Sequence, residues 1–178
     1  RAYVGVAGTG GQFTPYGGHH IAVIDLTDWK VAYTAQTQGY PQTSGLMTTG
    51  YDDGVYVYFM DNYTPGVMRV IHDAPGQTAL EGGVTEEFTS DKGVSGTYTD
   101  CAPVVFTPRG SLAQYCIGSP VTDEYGTLYF KNDSGNLIAL TSAVRELKVA
   151  EEPEIARTED GQWEVTGGKI VAVLANGL

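Results

Sequence analysis

The sequence contains no run approaching the ~20 consecutive apolar residues of a membrane span. Its longest apolar stretch, Lys169 to Ala175, has only the length of a strand, so no membrane insertion is expected within this segment. Basic residues are scarce: 10 Lys and Arg stand against 21 Asp and Glu, a formal net charge of −11. Phosphate-rich partners demand clustered Lys and Arg, so nucleic acid is excluded as an expected ligand and anionic lipid is disfavoured. Runs of good helix formers are nearly missing, which argues against a helical architecture. There is no Gly-x-Ser-x-Gly elbow and no His-Glu-x-x-His, the signatures of a common hydrolase nucleophile and a zinc protease. His19 and His20 adjoin on a predicted strand, point to opposite faces and cannot share one metal ion.

What the sequence does have is strand and turn chemistry. The 178 residues include 24 Gly and 12 Tyr, and the 42% hydrophobic fraction is enough for a packed core. Gly supplies the positive-φ positions of tight turns, and β-branched and aromatic residues suit the pleated surface between them. Two cysteines are present. If 102–107 and 112–117 pair about the turn Pro108-Arg109-Gly110-Ser111, Cys101 and Cys116 lie nearly opposite one another, and a disulfide is geometrically open to them. The alternative is two buried free thiols behaving as small hydrophobes.

An internal repeat organises the chain. Its clearest copy runs from Ser119 to Leu140: a strand (Ser119 to Thr122), an acidic Gly turn, a second strand (Thr127 to Lys131), an Asn-Asp-Ser-Gly turn and a third strand (Asn136 to Leu140). Asp and Asn favour such turns because their side chains bond the local backbone. The same series occurs upstream in Leu46 to Thr49, Asp52-Asp53-Gly54, Val55 to Phe59, the turn Asp61 to Gly66, and Val67 to Ile71. A third copy joins Tyr3 to Ala7, a Gly-rich loop, and His19 to Ile24, followed by an outer strand reaching Tyr33. Gly18, Gly66 and Gly135 then share one repeat position, and Tyr3, Tyr58 (or Tyr56) and Tyr129 share another. The excess length between about 75 and 99 predicts a long loop or an extra hairpin. The expected fold is all-β: blades of four antiparallel strands, about three of them over residues 1–150, making a partial β-propeller.

The blade built on Ser119, Pro120, Gly126, Tyr129, Gly135, Ala139 and Leu140 resembles the quinoprotein-like (PQQ-repeat) propeller. Tyr33 stands where that repeat usually carries Trp. The text from 151 to 178 differs. Its Pro153, the element around Trp163 and the apolar strand ending in Asn176-Gly177 resemble the opening of a bacterial Ig-like domain, as found along Gram-positive cell-surface proteins. The resemblance implies an extracellular, multi-domain surface protein. Both ends read as cut, and the rest of the propeller is expected from further chain or from a symmetry mate.

The quinoprotein resemblance also implies an enzymatic alternative, a quinoprotein-type oxidoreductase or a carbohydrate-active propeller enzyme. No set of a stacking Trp, cofactor-binding Arg and Asn, and a carboxylate base assembles from these residues, so no catalytic residue and no cofactor is assigned. The favoured expectation is a non-enzymatic binding or display region whose ligand is a glycan or a surface protein. Tyr63 and Tyr125, amphipathic rings in predicted loops, are the candidate ligand-binding residues. If any acidic turn holds Ca²⁺, the oxygen-rich loop with Asn132, Asp133 and Asn136 is the candidate, turn-holding being the plainer role.

Overall fold

The computed structural model describes residues 1–10, 14–49, 52–90, 92–93, 95–141, 150–157, 163–168 and 171–174, with side chains described as far as residue 141. These residues are all-β, with no α-helix and one short 3₁₀ turn at Gly110–Leu112. The first sheet contains β1 (Ala2–Val6), β2 (His20–Asp25), β3 (Lys30–Gln36), β7 (Val84–Thr89) and β8 (Ser95–Cys101), in the order β1-β2-β3-β8-β7. The second is an antiparallel row of β4 (Leu46–Thr48), β5 (Val55–Met60), β6 (Met68–Asp73) and β9 (Val104–Phe106). The third runs β10 (Val121–Thr122), β11 (Leu128–Lys131), β12 (Leu137–Thr141), and then β15 (Val171–Leu174) parallel to β12. The strands β13 (Ala150–Arg157) and β14 (Trp163–Gly168) pair with each other.

Each repeat copy thus becomes the centre of one sheet. The shared glycines all hold a left-handed backbone, with φ of 86° at Gly18, 72° at Gly66 and 78° at Gly135, which only Gly adopts without a steric penalty. Tyr58 pairs with Val70 and Tyr129 with Ala139, each partner four residues beyond its glycine. Tyr3 pairs with Val23, five beyond Gly18, so the first copy carries one extra residue in its turn. The 75–99 segment supplies β7, which pairs with β8 as a hairpin. This hairpin leaves the second copy and joins the first sheet through a parallel pairing of Gln36 with Cys101.

The three sheets stack face to face. Val57, Phe59 and Ile71 of the second sheet meet Ile21, Val23, Tyr33 and Ala35 of the first. On the opposite face Met60 and Met68 meet Phe130, Ile138 and Leu140 of the third. The middle sheet is therefore buried on both sides, which is why Val55 to Met60 is an unbroken apolar and aromatic run instead of an alternating one.

The disulfide between Cys101 and Cys116 does not form, and both thiols are free and buried. The hairpin that would have paired them is absent. Its first half becomes β9, which pairs with β6, while 113–120 belongs to no strand. Cys116 packs into the core between the second and third sheets, with its Sγ 3.4 Å from the Lys131 carbonyl oxygen. Cys101 lies on the β7–β8 hairpin instead, its Sγ 3.5 Å from the Tyr98 carbonyl oxygen. Burial pushes each thiol up to about 11.

Candidate functional site

Successive antiparallel strands send alternate turns to opposite ends of a sheet. The β1–β2, β5–β6 and β11–β12 turns therefore gather at one end, together with the β3–β4 and β9–β10 connections. Hydrogen bonds sew this end together. The Tyr16 N–H donates to Gln38 O (2.7 Å), the Asn62 N–H to Tyr40 O (3.1 Å) and the Asp133 N–H to Tyr115 O (3.0 Å). The Asp61 carboxylate accepts the Gln38 N–H at 3.0 Å and the Gly39 N–H at 2.5 Å.

Five aromatic rings form a continuous row across this end. Tyr98 stacks on Tyr16 with centroids 3.8 Å apart, and Tyr16 meets Phe88 at 5.7 Å. Phe88 then meets Tyr63 edge-on at 5.9 Å, and Tyr63 meets Tyr115 at 6.3 Å. Such tilted contacts align ring edges with the π faces of their neighbours. The row passes from buried to open: Tyr16 lies in the core, whereas Tyr115 is 37% exposed. Tyr16 holds φ 53°, a left-handed conformation uncommon for a bulky residue. Its Tyr98 stack, its N–H bond and its hydroxyl bond to Glu86 keep it there. On the other face of the β7–β8 hairpin, the exposed side chains of Glu87, Thr89, Ser95 and Thr97 line a groove of about 310 Å³, while Phe88 points inward to the row.

A buried charge cluster underlies the row. Arg69 and Asp61 are each only 1% exposed at the side chain. Arg69 Nε donates to Asp61 Oδ2 (2.9 Å), Nη1 to Ala102 O (2.6 Å) and to Glu86 Oε1 (2.9 Å), and Nη2 to Glu86 Oε2 (3.0 Å). Burial acts to raise the Asp61 carboxyl, and it is opposed by Arg69 and the two backbone N–H bonds. Burial likewise works against ionised Glu86, but its bonds to Arg69 outweigh burial and hold it below the usual carboxylate range. Arg69 is on the second sheet and Glu86 on the hairpin added to the first, so the cluster clamps that hairpin, and Phe88 with it, against the stack. Its charged groups are committed to one another, which is a structural use.

Of the candidates read from the sequence, Tyr63 sits within the aromatic row. Tyr125 does not join it: it is 66% exposed in the β10–β11 turn, at the opposite end of the third sheet. Asn132 and Asn136 hold their own turn. Asn132 Nδ2 donates to Leu112 O (2.7 Å) and its Oδ1 accepts the Ser134 N–H (3.1 Å), while Asn136 Nδ2 donates to Ser134 O (3.1 Å). Asp133 is exposed beside them. His19 is buried with both ring nitrogens against carbonyl oxygens, those of Ala7 and Thr14. Sequence reasoning missed Tyr16, Phe88, Tyr98 and Tyr115. The excess of Tyr was the only local signal, since the rings come from four separate segments.

Comparison with protein-family models, curated proteins and solved structures finds no match to this chain.

Proposed function

We propose that this chain is a non-enzymatic binding and display region of a secreted or cell-surface multi-domain protein, and that the aromatic row at its loop end binds a glycan. The observation that carries the reading is the aromatic row itself, which crosses the loop end and finishes on the 37% exposed ring of Tyr115. Sugars present apolar ring faces that stack on aromatic side chains of this kind. The acidic balance favours neutral or cationic ligands over polyanions. In the same reading the three stacked sheets are successive blades of a propeller, a reading supported by their common Gly turns and Tyr pairings.

The test is a glycan array followed by calorimetric titration of each hit. Saturable binding is expected, weakened on the order of tenfold by Tyr115→Ala or Phe88→Ala. An array without hits, or hits indifferent to both substitutions, refutes the proposal. A bound chromophore on titration with a quinone would favour the oxidoreductase alternative instead.

A further inference from the structure

The first sheet differs from the other two at one edge. In the second sheet β4 pairs along β5, with Leu46 opposite Tyr58. In the third β10 pairs along β11, with Val121 opposite Tyr129. The corresponding strand of the first sheet, β1, has β2 on one side and, among the described residues, no strand on the other. An edge of this kind presents unpaired backbone N–H and C=O groups to any extended chain that fits. Beside it lies a cavity of about 630 Å³, bounded by β1 and by the 40–45 connection. Its apolar wall includes Ile21, Met47, Val57 and Phe59. Three of those four belong to the buried core, so the core between the first and second sheets opens onto this gap.

The repeat also specifies what fits. Leu46 and Val121 are preceded by Ser44-Gly45 and Ser119-Pro120, and the two serines are linked: the Ser44 N–H donates to Ser119 Oγ (2.9 Å). One copy's serine therefore bonds the serine of the copy before it, and Ser44, which lines the cavity, stands at the next place in that series.

We infer that the open edge of β1 is a strand-acceptor site for an additional polypeptide segment of the pattern Ser-(Gly or Pro)-(Leu or Val). The segment pairs antiparallel to β1. Its apolar residue lies opposite Tyr3 and enters the cavity against Met47 and Phe59, and its serine N–H donates to Ser44 Oγ. The main-chain ladder supplies affinity and the single apolar pocket supplies selectivity, as in strand-addition recognition generally. A second copy of this chain has no such strand to lend, because Ser44 to Leu46 and Ser119 to Val121 are already built into their own sheets.

The experiment appends a copy of residues 118–123 ahead of Arg1 through a short Gly-Ser linker, which keeps the strand at millimolar effective concentration. Hydrogen exchange resolved to residues 2–6 and the melting temperature are compared among the unfused chain, the fusion, and a fusion whose added strand carries Asp in place of its Val. Docking is expected to slow exchange in β1 on the order of tenfold and to raise the melting temperature, with the Asp-bearing fusion behaving like the unfused chain. Equal exchange and equal melting in all three overturns the inference. So does a concentration-dependent dimer of the unfused chain that itself protects β1, which would give the edge to a second copy. A Ser44→Ala change in the fusion is expected to lose part of the gain, and an undiminished gain would refute the serine contact.

Discussion

Replacing Arg69 with Met is the most direct test of the clamp that holds the β7–β8 hairpin to the stack. The substitution keeps an unbranched apolar stem in the core but removes four hydrogen bonds, to Asp61, to Ala102 O and two to Glu86. The larger consequence falls on Asp61, which stays 1% exposed with two N–H donors and no counter-charge. Breaking a buried ion pair on one side costs about 3–5 kcal/mol. For a chain of this length that corresponds to a fall of roughly 6–20 °C in melting temperature. Urea denaturation with an unchanged m-value is the assay. The pairing Asp61→Asn with Arg69→Met is expected to recover part of the loss, because a neutral amide needs no counter-ion and its oxygen still accepts a backbone N–H. A loss below about 1 kcal/mol for Arg69→Met, or a double variant no more stable than the single, would refute the clamp.

The clamp also has a pH signature. Glu86 is held below its ordinary value in the folded chain, so its contribution is complete above that ordinary value, near 4.5, and is lost as pH falls through the lower folded value. Glu86→Gln should flatten this acid limb of the stability curve. An unchanged acid limb in the variant would show that other carboxylates govern it. Two further outcomes rest on local geometry. Gly66→Ala should destabilise much more than Gly135→Ala, although both glycines have positive φ: a Cβ at 66 would lie 2.2 Å from Gln114 O, whereas one at 135 meets nothing within 4 Å. The conformational cost alone is about 1–2 kcal/mol, and comparable losses by denaturant titration would contradict the packing at 66. Both thiols, buried and pushed up to about 11, should resist a thiol-modifying reagent in the folded chain and react on unfolding, and reductant should leave the melting temperature unchanged. A reductant-dependent melting temperature would show a disulfide.

The strands and turns of the three copies are legible in the sequence because their causes are local. Gly18, Gly66 and Gly135 take left-handed φ for want of a Cβ. The Asp123 carboxylate accepts the Tyr125 and Thr127 N–H groups within its own turn, and Asp52 does the same for Gly54. The Tyr pairings follow from alternation along each strand. Other contacts depend on which segments meet across the fold, and no window of sequence contains that. The polar 75–99 segment lies in the second copy yet completes the first sheet, because the edge of β3 lies open to it and Arg69 meets Glu86 there. The same docking brings Phe88 and Tyr98 to Tyr16 and Tyr63, making a row from residues as far apart as Tyr16 and Tyr115. It also sends the segment after Cys101 to β6 rather than into a hairpin of its own, leaving the two thiols in different places. Backbone preferences a few residues long are enough to specify an all-β chain of repeated strand-turn units. Which edges pair, which rings touch and where an edge stays open are settled by tertiary folding alone, because those outcomes depend on the competition among distant surfaces to be buried.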